Sequence, residues 1–322
     1  MIFNRIKLNY NIKLFDDLFK NQDYQAIHKH LRDLKNNKTV YYEISKYVYF
    51  KYLLSNEHRP FHQNKFFWIL SYDLNDVNFL NSFIEFYMGK QQEISFIVDN
   101  YKNLFDKLLS LYDSDRFPSK PSFEDVIENS GFYQQLALLT ENKDLVFAST
   151  NAAFFEAPNQ KFLIYPQNSS AYIYIIRDPR KLYSRYKSSG LNSQEALNNI
   201  INYFDDPRLN EGKYFLYENR QNWQTNVNSW NDENVKNSYR GKTIKYEDLV
   251  NQTEETLVDV IYHIKQTGVN INVEHKIIED FLNAYPIPTE NDNDQLSNKE
   301  IKSIYNNIDR HLLEEFDYNI VN

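Results

Sequence analysis

The strongest chemical signal in this sequence is an arginine at the end of a predicted buried strand. Residues 171–180 read AYIYIIRDPR, an apolar run that ends abruptly in Arg177, Asp178 and Pro179. A helix-like run follows over residues 181–187. Ligands of open α/β sheets bind at the carboxyl ends of strands, and helix N-termini favour negative charge. The pattern therefore predicts an anion site at Arg177, and the alternative is an ordinary strand-to-helix turn with a surface arginine.

A second segment carries a helix, a strand and a further acidic motif. The helix-like stretch places Trp223, Val227 and Trp230 on one face, which is the spacing of a packed helix and favours a core role over base stacking. A turn at Gly241 then leads into a short apolar strand and the residues Tyr-Glu-Asp-Leu at 246–249. Together the two segments predict two strands of one sheet, each followed by a helix.

In their order and spacing, these segments resemble the sulfotransferases that use 3'-phosphoadenosine-5'-phosphosulfate (PAPS). The resemblance covers roughly residues 65–320, and it implies a P-loop-like fold with a central parallel sheet flanked by helices. In that family the Arg-x-Pro turn and a serine on the next helix hold the nucleotide 3'-phosphate. The resemblance therefore implies that Arg177 contacts this phosphate. The usual serine position, eight residues after the arginine, holds Arg185 here, and Ser184 lies one residue earlier, so either is expected to assist.

The loop after the first predicted strand departs from the family pattern. The family has a loop of the type Pro-Lys/Arg-Ser-Gly-Thr-Thr there, whose basic side chain and backbone N–H groups hold the 5'-phosphosulfate. Here Leu74 stands at the basic position and Asp76 at the glycine position, with Asp73 nearby. Asn75 and Asn78 remain as uncharged hydrogen-bond donors to PAPS. Because like charges a few Å apart cost on the order of 1–4 kcal/mol each, the two aspartates predict poor PAPS turnover.

The sequence assigns no catalytic base. The family often places a histidine or a carboxylate on or near the middle strand, where this chain reads Ala-Ser-Thr-Asn at 148–151. All seven histidines fall in predicted helices or loops, and Glu124 and Glu156 are the nearest carboxylates in sequence. Lys120, in a proline-flanked loop, is a lysine that could supply positive charge to a donor if that loop moved in.

Composition limits the class of protein. A chain of 322 residues that is 42% hydrophobic suits one large α/β domain with a small extension. The net charge of −8 disfavours nucleic acids and anionic membranes as partners. The absence of cysteine excludes disulfides and thiolate metal sites, and no metal is expected. No apolar run is long enough to span a membrane, and residues 1–13 lack the core of a signal peptide, so we expect a cytoplasmic protein.

The alternation of short apolar runs with helical patterns predicts an α/β fold with a parallel sheet. The predicted core strands are Lys65–Ser71, Asp144–Ala148, Ala171–Ile176 and Thr243–Tyr246. Helices are predicted over 78–88 and 93–112. We expect residues 1–60 to form a helical N-terminal extension and residues 61–322 to form the sulfotransferase-like domain.

The resemblance implies a sulfotransferase that transfers a sulfuryl group from PAPS, as co-substrate, to a hydroxyl or amine of a glycan, lipid or small metabolite. Two alternatives stay open. The fold can have lost donor activation and serve as a ligand- or protein-binding module, or it can belong to a different transferase or nucleotide-binding protein built on the same sheet. The altered loop is the feature that separates the first two. The acceptor and the oligomeric state are not encoded in any motif we recognise.

Overall fold

The structure is a computed structural model. It describes residues 2–21, 23–34, 65–91, 94–100, 145–157, 161–162, 164–202, 220–289 and 296–318, with single positions within 37–48 and 131–138. The predicted domain boundary near residue 60, the loop that carries Lys120 and the carboxylate of Glu124 lie outside these residues.

A parallel sheet of five strands forms the centre of the molecule, which confirms the predicted α/β class. In chain order the strands are β1 (Lys65–Ser71), β2 (Phe96–Asn100), β3 (Leu145–Thr150), β4 (Glu156–Ala157), β5 (Lys161–Phe162), β6 (Ser169–Ile176) and β7 (Gly241–Lys245). Strands β4 and β5 form a separate antiparallel pair, and the main sheet has the order β2-β3-β1-β6-β7.

This strand order creates a divergence point between β1 and β6. The chain leaves β1 for β2 and β3 on one side, and it leaves β6 for β7 on the other side. In open α/β sheets a crevice opens at such a point, outside the carboxyl ends of the strands, and ligands bind there. The segments that begin at Tyr72 and Arg177 meet at this place.

Helices cover both faces of the sheet. They are α1 (Ile2–Lys20), α2 (Tyr24–Leu34), α3 (Asn78–Lys90), α4 (Pro179–Ser188), α5 (Ser193–Ile201), α6 (Trp223–Asn231), α7 (Glu233–Tyr239), α8 (Tyr246–Asn251), α9 (Thr253–Gln266), α10 (His275–Ala284), α11 (Asn298–Tyr305) and α12 (Arg310–Glu315). Alternate residues of each central strand enter opposite hydrophobic clusters: Trp68 belongs to the cluster that includes residues of α1 and α6, whereas Phe67 belongs to the cluster that includes residues of α3 and α9. Burial on both faces explains why these strands are almost continuously apolar in sequence.

One predicted element is wrong over part of its length. The one or two helices expected over 93–112 are replaced at Phe96–Asn100 by the edge strand β2, which pairs with β3 in parallel register. All five residues of β2 are only half-buried, so the strand lacks the strong apolar signal of its neighbours. The rest of that predicted helical stretch lies outside the described residues.

Strand β7 begins at Gly241, where a larger residue would clash with a neighbouring tyrosine. A Cβ atom on Gly241 would lie 2.1 Å from Cζ of Tyr172, because the tyrosine ring lies directly across the glycine. The Tyr172 hydroxyl donates a hydrogen bond to the carbonyl of Trp230 on α6. Gly241 therefore allows β7 to approach β6 closely while a buried aromatic side chain fills the space between the sheet and its helix layer.

Candidate functional site

The turn after β6 is held by the two other motifs that the sequence singles out. The indole Nε1 of Trp223 donates to the carbonyl of Arg177 (3.1 Å), and the backbone N–H of Asp178 donates to Oε1 of Glu247 (3.0 Å). The guanidinium of Arg177 lies 4.1 Å from the ring centroid of Tyr246, within range of a cation–π interaction. The tryptophan helix and the Tyr-Glu-Asp-Leu segment therefore act together to position Arg177.

Helix α4 starts directly from this turn. The side chain of Asp178 accepts a hydrogen bond from the backbone N–H of Arg180 (2.8 Å), and Pro179 occupies the first helical position. Both features are typical of helix N-termini, because the cap satisfies an orphan N–H and proline lacks one. The carboxylate of Asp178 also forms an ion pair with the Arg180 side chain, so it is committed to the helix start. The helix then carries Arg185 back over the carboxyl edge of the sheet.

The two arginines expected at a phosphate are bonded instead to the two aspartates of the β1 loop. Nη1 of Arg177 lies 2.8 Å from Oδ1 of Asp76, and Nη1 of Arg185 lies 2.5 Å from the same oxygen. Nη2 of Arg185 lies 2.5 Å from Oδ2 of Asp73. The side chain of Asp76 is 1% exposed and that of Arg177 is 7% exposed, whereas that of Arg185 reaches 26%. An ion-pair network thus occupies the divergence point of the sheet, and Arg185 is its most accessible member.

Local structure after β1 delivers the aspartates to this place. Asp73 begins a single 3₁₀ turn, Leu74–Val77, and its Oδ1 accepts hydrogen bonds from the backbone N–H of Asn75 (2.9 Å) and from the Asn75 side chain (3.0 Å). This turn places Asp76 in the interior. Leu74, at the position that is basic in the family pattern, packs against the hydrophobic cluster beneath helix α3.

Burial and charge oppose each other at the two carboxylates. Burial raises the pKa of Asp76, and this effect outweighs the adjacent guanidinium groups of Arg185 and Arg177. Burial also acts on Asp73, but there the charge of Arg185 and the N–H of Asn75 hold the pKa below its ordinary value. Burial disfavours the charged form of Arg185, yet the two aspartates raise its pKa. Arg185 is therefore firmly cationic, and Asp73 is its stable counter-charge.

A third arginine stands at the rim. The guanidinium of Arg220 lies 4.3 Å from the ring centroid of Tyr72, and its Nη2 donates to the carbonyl of Asn199 (3.1 Å). Burial raises the pKa of Tyr72 to about 12 and also raises that of Tyr186, so both phenols stay neutral at physiological pH. Three arginines and two aspartates therefore surround this point.

Of the remaining predicted cofactor contacts, Asn75 joins the network through its hydrogen bonds to Asp73. Ser184 is half-buried on α4, where its carbonyl accepts from the hydroxyl of Ser188. The amide of Asn75 is engaged by Asp73, and Asn78 is exposed at the start of α3. Glu156 is exposed on β4.

Sequence reasoning missed the pairing of arginine with aspartate and the contribution of Arg220. Opposite charges at the ends of two neighbouring strands are the signal that indicates the pairing. Nothing comparable in the sequence indicates Arg220, because it follows a long stretch without a recognised motif.

Ion pairs between arginine and aspartate dominate this arrangement. Among the described residues, no group of three or more histidine, aspartate or glutamate side chains is placed to hold a metal ion. No helix in the described part of the chain has both the length and the apolar character needed to cross a membrane. Comparison with models of known protein families gives no match, and comparison with curated proteins gives none either. The sulfotransferase resemblance therefore stays a prediction.

Proposed function

We propose that this protein is a sulfotransferase-related member of the P-loop-like α/β class that does not turn over PAPS and serves as a ligand- or protein-binding module. The observation that supports the proposal most is the carboxylate of Asp76, which bonds both Arg177 and Arg185 where the donor nucleotide would need positive charge. The protein's own aspartate takes the place that an anionic ligand would fill.

Donor binding in this crevice would require the network to open. Withdrawing Asp76 from two arginines leaves a buried charge without its partners, which costs several kcal/mol in proteins. The donor would bring further negative charge next to Asp73, and Leu74 offers no side-chain charge in return. The lost ion pairs and the added repulsion both weaken the binding of PAPS in this crevice.

A second candidate function is active sulfuryl transfer. It is favoured by the convergence of Arg177 and Arg185 on one point, with Tyr246 stacked beneath Arg177. The resemblance implies that Arg177, assisted by Ser184 or Arg185, contacts a nucleotide 3'-phosphate. In that case the two aspartates act as displaceable stand-ins for phosphate, and the acceptor is a hydroxyl or amine of a glycan, lipid or small metabolite.

A turnover assay separates the two candidates. Purified protein is incubated with PAPS and a panel of hydroxyl and amine acceptors, and release of the desulfated nucleotide is measured. We expect the wild-type rate to equal the buffer background. In the rebuilt loop, Leu74→Arg with Asp76→Gly, we expect tighter binding of the desulfated nucleotide, because one negative charge is removed and one positive charge is added. Wild-type turnover at ordinary enzymatic rates that Arg177→Ala abolishes would overturn the first candidate and support the second.

A further inference from the structure

A cavity lies at the opposite edge of the sheet, at the amino end of β7. Its volume is about 970 Å³, and it opens between helices α7 and α9. Small-molecule sites in proteins commonly have volumes of about 300–1,000 Å³, so this cavity can hold a monosaccharide-sized ligand. It is separate from the ion-pair network, which lies at the carboxyl ends of the strands.

The lining of this cavity is basic, although the protein as a whole is acidic. Lys236, Arg240 and Lys242 line it, against Glu233 and Asp259 as the acidic residues. Nζ of Lys242 lies 2.8 Å from Oδ2 of Asp259, and Nζ of Lys236 lies 3.9 Å from Oε1 of Glu233. Within the described part of the chain, the guanidinium of Arg240 has no acidic partner. The cavity therefore carries one cation in excess.

A fourth cation stands close by. Lys65, at the first position of β1, is half-buried. Burial lowers its pKa, and the positive charge of Arg240 lowers it further. The positive charge at this edge of the sheet is therefore not fully compensated by the protein, which is the condition that an anionic ligand relieves.

The backbone of Arg240 is held in an unusual conformation. Its φ angle is +50°, in the left-handed region that glycine and asparagine normally occupy at helix ends. Nε2 of the buried His263, which also lines the cavity, lies 3.0 Å from the carbonyl of Tyr172. The next residue is Gly241, which Tyr172 requires for another reason. The chain thus places an arginine where glycine would fit without strain, and strained positions of this kind cluster at functional sites.

We propose that this cavity binds a small molecule that carries a phosphate or sulfate ester, with Arg240 as the principal anion contact. Lys236 and Lys242 flank the position of the anion. Tyr262, whose side chain is half-exposed, supplies an apolar wall, and the amide of Gln266 supplies hydrogen bonds for ligand hydroxyls. This site is independent of the function proposed for the carboxyl edge of the sheet.

A purely structural account of the same cations competes with this proposal. Lys236 and Arg240 lie at the C-terminal end of α7, where positive charge stabilises the helix dipole. The two accounts differ over the variant Arg240→Gly. Glycine relieves the left-handed strain under either account; if Arg240 serves the ligand and not the helix, nothing offsets this gain, and we expect the melting temperature to rise by roughly 2 °C. If Arg240 serves the helix, the loss of charge lowers the melting temperature.

Binding is measured by isothermal titration with inorganic phosphate, inorganic sulfate, glucose 6-phosphate and glucose at constant ionic strength. For the wild-type protein we expect binding of the three anions and none of glucose, with the phosphorylated sugar bound most tightly. In Arg240→Gly we expect affinity for glucose 6-phosphate to fall by about ten-fold or more, because a charge-assisted hydrogen bond is lost. The matched control is Arg310→Gln, which removes an exposed arginine on α12 and should leave the affinity unchanged.

The combination of a stabilised fold and a lost ligand supports the proposal, because unfolding cannot explain it. Equal affinity of wild-type protein and Arg240→Gly for glucose 6-phosphate overturns it. Equal weakening in the Arg310→Gln control also overturns it, since that result would reflect net charge rather than a site.

Discussion

Replacing Asp76 with alanine tests whether the ion-pair network stabilises the fold. The change removes a carboxylate that is 1% exposed and that lies 2.8 Å from Nη1 of Arg177 and 2.5 Å from Nη1 of Arg185. Arg185 then keeps its ion pair with Asp73, whereas Arg177 loses its ion pair with Asp76 at a position where its side chain is only 7% exposed. Removal of one partner of a buried ion pair costs about 3–5 kcal/mol, so we expect the free energy of unfolding to fall by that amount.

The assay is equilibrium urea unfolding in buffer without phosphate or sulfate. The control is Glu314→Gln, which breaks an exposed pair with Arg310 and should cost no more than about 1 kcal/mol. Adding Arg177→Met to the alanine variant should recover part of the loss, because it removes a stranded charge. Added phosphate should stabilise Asp76→Ala more than the wild type, because the anion replaces the missing carboxylate. A loss below about 1 kcal/mol would refute the reasoning, since it would mean that the arginines are well solvated without Asp76.

Three further expectations follow from single contacts. Tyr246→Leu should cost roughly 1–2 kcal/mol in urea unfolding, because the cation–π contact at 4.1 Å is lost, whereas Tyr246→Phe should retain most of it; equal costs would contradict this role. Gly241→Ala should lower the free energy of unfolding by about 1–3 kcal/mol, because the new Cβ atom would clash with the Tyr172 ring. Gly89→Ala, in open space within α3, should raise it by about 0.5–1 kcal/mol. Melting temperatures should accordingly fall in the first variant and rise in the second. The pKa of Asp73 is depressed in the folded state, so its carboxylate stabilises the fold at pH values above the unfolded-state pKa of about 3.9, and this stabilisation is lost as the pH falls further. Asp73→Asn should therefore make the free energy of unfolding depend less steeply on pH in the acid range. An unchanged acid dependence would contradict the depressed pKa of Asp73.

Much of the sheet could be predicted because its central strands are buried on both faces. Lys65–Ser71 is found at its predicted bounds, and Ser169–Ile176 extends the predicted strand by two residues. The edge strand Phe96–Asn100 could not be predicted in the same way, because it is half-buried and includes Asp99 and Asn100. Its strand conformation depends on pairing with β3, which is a long-range contact.

The candidate site was predictable in its location but not in its internal chemistry. The carboxyl end of β6 and the loop after β1 meet as expected, and Arg177 and Arg185 lie together. The sequence alone suggested that Asp76 repels a donor anion. In the structure it neutralises Arg177, a residue 101 positions away, and only the adjacency of β1 and β6 reveals this contact.

The central claim is that the protein's own aspartates fill the anion site at the divergence point of the sheet. Isothermal titration with 3'-phosphoadenosine-5'-phosphate, the desulfated product of PAPS, tests this claim most directly when wild type and Asp76→Asn are compared. The account predicts no measurable binding to the wild type and measurable binding to the variant, because Arg177 and Arg185 become available to the phosphate. Micromolar binding to the wild type, weakened by Arg177→Ala much more for this ligand than for AMP, would contradict it and would show that the network opens for a nucleotide.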